Sequence, residues 1–62
     1  MMATWLYREG RNVYRASHSA PVIRVSWERH GAHEWLALRD AQGHLRGGGA
    51  RRDRLISLTL TG

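Results

Sequence analysis

Apolar residues recur at every second position through Ile23, Val25 and Trp27, with Arg24, Ser26 and Glu28 between them. That is the period of a strand with one face in a core and the other in water. A second run, Glu34 to Arg39, follows His30-Gly31-Ala32-His33, a connection short enough for a hairpin and carrying the glycine that tight turns favour.

The register of this hairpin can be chosen by parity, because a slip of one residue sends every side chain to the other face. Placing Glu28 opposite Glu34 sets Trp27 against Trp35, but two carboxylates then meet and Leu36 and Leu38 fall on the polar face. Placing Glu28 opposite His33 pairs Val25 with Leu36 and Ile23 with Leu38, and leaves Glu34 beside Trp27. Placing Arg29 opposite Glu34 closes the hairpin with an ion pair, sets Trp27 against Leu36 and Val25 against Leu38, and is preferred.

The parity carries through Asp40-Ala41-Gln42-Gly43, which has Asp first and Gly last as type I turns prefer. Folding back there puts Arg39 opposite His44 and Leu38 opposite Leu45. The expected inner row is Trp27, Val25, Leu36, Leu38 and Leu45, and the outer face holds Arg24, Ser26, Glu28, Trp35, Ala37, Arg39 and Arg46.

Toward the N-terminus, Trp5 and Tyr7 alternate with Leu6, and Tyr14 and Ala16 alternate with Val13 and Arg15, around a turn at Glu9-Gly10-Arg11. This predicts a hairpin with an aromatic inner face and Arg8, Arg11 and Arg15 on or near the outside. His18 to Pro21 reads as a loop, since Pro21 offers no ladder N–H. Arg46-Gly47-Gly48-Gly49-Ala50 abandons the alternation and is expected to be the most flexible part of the chain, followed by Arg51 to Arg54 as loop or a single helical turn. Leu55 to Thr61 predicts a final strand with Ile56, Leu58 and Leu60 on one face.

The pattern predicts one all-β domain over residues 1–62: a small antiparallel meander of five to six short strands, curled as an open barrel. SH3-like and OB-like barrels are analogies of architecture alone, and no motif of either maps onto these residues.

Composition makes that core thin. The apolar share is 42%, but seven of those residues are Ala, beside twelve Val, Ile and Leu, three Trp and no Phe. Without Cys, neither disulfides nor thiolate metal sites can stabilise it, and the expected remedy is a homo-oligomer, a dimer first. Nothing approaches the roughly 20 apolar residues of a membrane helix, and the start of the chain lacks the features of a signal peptide. The expectation is a cytoplasmic protein with no membrane partner.

Charge points to partners. Ten basic residues, all Arg, face five acidic ones, for +5 at pH 7. A GC-rich genome would explain the choice of Arg over Lys but not the sign of the charge. Excess positive charge on a small domain suits nucleic acid or an acidic protein surface, and the guanidinium fork binds phosphate bidentately and stacks on bases. The candidate binding residues are Arg24, Trp35, Arg39, Arg46, Arg51, Arg52 and Arg54, with the indole of Trp35 as a stacking platform. Arg46 to Arg52 resembles an arginine-glycine segment and is not a phosphate-binding Walker loop. His30-x-x-His33 falls in a turn, where the rings have no fixed convergence, so no metal is expected. The histidines and serines contain the ingredients of a nucleophilic triad without a core deep enough to preorganise one. The sequence therefore predicts no enzyme and no cofactor.

Overall fold

The structure is a computed structural model and describes residues 2–19, 21 and 24–62. Six strands form: β1 (Met2–Glu9), β2 (Asn12–His18), β3 (Arg24–His30), β4 (His33–Arg39), β5 (Leu45–Arg51) and β6 (Leu55–Thr61), with a 3-10 turn at Arg52–Arg54 before the last. The fold is all-β. The strands are divided between two antiparallel sheets, ordered β2-β1-β6 and β3-β4-β5.

Instead of one continuous meander, β6 returns to pair with β1, and neither sheet closes on itself among the described residues. Ile23, expected at the start of the third strand, lies outside the described residues.

The two tight hairpins form as their turn chemistry dictates. Glu9 pairs with Asn12 and His30 with His33, leaving Gly10-Arg11 and Gly31-Ala32 as two-residue loops. Gly10 and Gly31 have φ of 60° and 64° while Arg11 and Ala32 stay at negative φ, the pattern of a type II′ turn, whose twist matches the flanking strands. In β3 and β4 the register is the one with Arg29 opposite Glu34, Trp27 opposite Leu36 and Val25 opposite Leu38.

The core lies where the inner faces of the sheets meet. Ala3, Trp5, Leu36, Leu38 and Ala50 form it, with Tyr7, Ala16, Val25, Trp27, Leu55 and Leu58 packed around. Among the described residues Leu38 is the one large side chain fully out of solvent. Tyr7 stacks on Tyr14 across β1 and β2, with centroids 5.6 Å apart, as cross-strand aromatic pairs favour.

Three expectations are corrected. Leu45 is not in the inner row: it pairs with Arg39 on the outer face and is 61% exposed. The cause is Gly43, whose φ of 84° adds a bulge after the type I turn. The Asp40 carbonyl accepts from the Gly43 amide, and the Asp40 amide donates to the His44 carbonyl, so Asp40 and not Arg39 faces His44.

Second, Gly47 to Gly49 is strand, not loop. The register against β4 shifts twice along β5, with Leu38 opposite Gly47, Ala37 opposite Gly48 and Trp35 opposite Arg51. Glycine is needed there for close approach. A Cβ on Gly47 would press on Leu38 Cδ1 at 3.3 Å and the Trp5 ring at 3.4 Å, and one on Gly48 would overlap the Leu36 carbonyl.

Third, a shift between Leu6 and Tyr7 puts Leu55 opposite Tyr7 and Leu58 opposite Trp5. Leu55 therefore joins the core cluster, and Ile56, placed with Leu58 by simple alternation, is half-exposed.

Candidate functional site: two arginine populations

The outer face of β3-β4-β5 carries the residues that alternation singles out. Arg39 donates to both carboxylate oxygens of Glu28 at 2.7 Å and also to the Gly43 carbonyl. Register explains the contact: Glu28 lies opposite Trp35 and Arg39 opposite Arg24, with the short Ser26–Ala37 pair between them for the arm to cross. The Arg39 hydrogen bonds hold the Glu28 carboxyl below its ordinary value against the effect of burial, and Glu28 in turn raises Arg39.

Asp40 organises the β4–β5 turn. Its Oδ1 accepts from the Gln42 and His44 amides, both at 2.9 Å, and its Oδ2 accepts from Arg46 Nε at 2.7 Å. Removal from water pushes this carboxyl upward, but Arg46 and the two amides override that and bring it down to about 2. Arg46 is thus tied to the turn while about half its side chain meets solvent.

The 3-10 turn takes up two more arginines. Arg51 is bidentate to Asp53 at 2.6 and 2.7 Å and lies 3.2 Å from His33 Nε2. The pair holds Asp53 low and Arg51 high, chiefly through those hydrogen bonds. Arg52 donates to Glu34 at 2.7 Å, with its guanidinium 5.2 Å from the centre of the Trp27 ring. This stacked, ion-paired arginine caps the open end of the core. Glu34 also takes Arg29 at 3.6 Å.

Trp35 is half-buried on the outer face, its indole N–H directed at the His30 carbonyl at 3.5 Å and the His33 ring edge-on to it. With Ala37, Leu45 and Gly49 it lines an apolar groove of about 200 Å³, edged by Glu28 and His30. No group of three or more metal-ligating side chains gathers among the described residues.

Of the seven residues expected to bind, the structure brings Arg24, Trp35, Arg39 and Arg46 to one face or its turn, and places Arg51, Arg52 and Arg54 at the other end of β5. Arg39, Arg46, Arg51 and Arg52 each have a carboxylate partner. Four of the five acidic residues are consumed this way, and the fifth, Glu9, makes no ion pair among the described residues. The ten arginines therefore split into five with partners, Arg29 included, and five without among the described residues: Arg8, Arg11, Arg15, Arg24 and Arg54.

Three of those five sit on the first hairpin, which the candidate set leaves out. The signal for them was in the sequence: residues 2–18 hold three Arg and one Glu. The fold and charge distribution define a small basic all-β domain of two packed sheets. Comparison with protein-family models, curated proteins and solved structures finds no match.

Proposed function

We propose that the chain binds nucleic acid through backbone phosphates with low sequence specificity. One observation carries the reading: after every ion pair is counted, five arginines remain without a carboxylate among the described residues. Unpaired like charges on so small a domain repel one another and weaken the compact state. A polyanion relieves that repulsion, and release of its counterions adds a favourable term.

Within the sequence-derived set, Arg24 and Arg54 are free to engage phosphate directly. Arg46 can share its exposed side with an anion, whereas Arg39, Arg51 and Arg52 would first have to leave their carboxylates. Trp35 would offer its groove to a base, for which stacking is worth about 1–3 kcal/mol. A cytoplasmic location would fit such partners and a chain without Cys.

A second reading, a protein-interaction module that pairs with an acidic partner or with a second copy of itself as a dimer, rests on the exposed apolar side chains. Val13, Leu45 and Ile56 are each at least half exposed over a core in which one large side chain is fully buried.

The mass of the protein in solution, with and without a mixed-sequence oligonucleotide and at low and high salt, separates the two. The first reading expects a complex at low salt that dissociates at high salt. A stable dimer that ignores the oligonucleotide supports the second and removes the first.

A further inference from the structure

The free arginines are not spread evenly. Arg8 and Arg15 share one face of the first hairpin: Arg8 pairs with Val13 and Arg15 with Leu6, so both point away from the Trp5–Tyr7 core side. Arg11 occupies the turn between the strands. Arg54 comes to the same end from the 3-10 turn, and with Arg8 and Gly10 it lines a cleft of about 230 Å³.

Apart from its arginines, this face carries no charged side chain. One row across the sheet is Arg15–Leu6–Ser57 and the next is Ser17–Thr4–Thr59. Beside these hydroxyls the face carries exposed apolar side chains, Val13 opposite Arg8, Met2 opposite Thr61 and Ile56 at the bulge, with no carboxylate and no aromatic ring. Glu9 falls on the opposite parity, where it lines a separate cavity of about 110 Å³ with Arg54 and Trp35, and Asp53, in the lining of the cleft, has both oxygens taken by Arg51. By contrast, the outer face of the other sheet has its acidic residues interleaved with its arginines.

We infer that the outer face of β1 and β2, with Arg54, is a phosphate-backbone site for duplex nucleic acid, in which Arg8, Arg11, Arg15 and Arg54 take phosphates and Trp35 takes no part. The inference rests on the nucleic-acid reading above and relocates its site. Guanidinium and hydroxyl donors gathered on one exposed face match an acceptor-only chain of phosphodiesters. With no aromatic side chain to stack unpaired bases, this face gains nothing from a single strand that a duplex does not supply, and the duplex offers the denser charge.

The test is a binding titration against a short mixed-sequence duplex over a range of salt concentrations. Log K should fall linearly with log salt, by about 0.9 for each phosphate engaged. The double variant R8Q/R15Q should flatten that slope by roughly two such increments, while R8K/R15K, which keeps both charges, should retain it. The thermal midpoint of R8K/R15K should match the parent's and that of R8Q/R15Q should be no lower, because both side chains are exposed and their removal relieves repulsion.

A slope unchanged in R8Q/R15Q but flattened in R24Q/R46Q overturns this site and leaves the nucleic-acid reading standing. Preference for a single strand that is abolished by W35A does the same. Absence of salt-dependent binding to any nucleic acid overturns both.

Discussion

At the scale of single residues, two positions show how local chemistry is set by surroundings that the sequence does not display. Gly48 has φ of 110° and a Leu36 carbonyl where a Cβ would go, while Gly49 has φ of 84° with open space around it. An alanine at either position adopts a backbone conformation that costs about 1–3 kcal/mol, but only G48A also forces β5 away from β4. Chemical denaturation should therefore rank G48A well below G49A, and equal losses would mean that the Leu36 carbonyl is not against Gly48.

Asp40 gives the second residue-scale prediction. Its carboxyl sits at about 2 in the folded protein against an ordinary 3.8. The unfolded chain thus binds the proton first as pH drops, and stability rises with pH across this window. The contribution is complete above about pH 4 to 5 and is lost as pH falls through 2. Glu28 and Asp53, held low by Arg39 and Arg51, act in the same direction. The thermal midpoint should fall steadily between pH 5 and 2, and D40N should be less stable at neutral pH with a shallower acid slope. A D40N slope identical to the parent's would show that Asp40 is not the group being titrated.

Among the elements, β5 departs furthest from its sequence. Three consecutive glycines read as a flexible connector, because glycine's freedom is visible in the sequence and the packing that consumes it is not. Here Gly47 lets Trp5 and Leu38 approach, and Gly48 lets β4 lie close. Hydrogen exchange should find the amide of Gly47 or Gly48 that faces β4 slower than that of Ala41 in the adjoining turn. Exchange at Gly47 and Gly48 as fast as in the turn would restore the connector.

Strands with clean alternation were legible. The pairing of Trp27 with Leu36 and Val25 with Leu38 follows from parity and one turn glycine. Bulges defeated the same argument at Leu45 and Ile56, since an extra residue reverses parity and its position depends on φ at Gly43 or on packing around Tyr7. The ion pairs were half legible. Arg29–Glu34 follows from register, but Arg39–Glu28 needs a long arm laid across Ser26 and Ala37, which pairing alone does not prescribe.

For the whole molecule, the organising fact is the division of charge. The β3-β4-β5 sheet with its turns and the 3-10 turn hold four of the five acidic residues, which pair with Arg29, Arg39, Arg46, Arg51 and Arg52 and leave Arg24 and Arg54 without a carboxylate among the described residues. The first hairpin holds three arginines with no carboxylate partner among the described residues. Net charge is readable from composition, but which arginines are free is a property of the tertiary fold. The sequence pointed to phosphate or an acidic surface as a partner and to Arg24, Arg39, Arg46, Arg51, Arg52 and Arg54 as the residues to meet it, and four of those six have a carboxylate partner in the fold.

The most direct test of this account is the salt dependence of binding to duplex DNA by the unaltered protein. With the four arginines of the first hairpin and its neighbouring turn engaged, the slope of log K against log salt should approach roughly −3 to −4. A slope near zero, or no measurable binding at low salt, would contradict it.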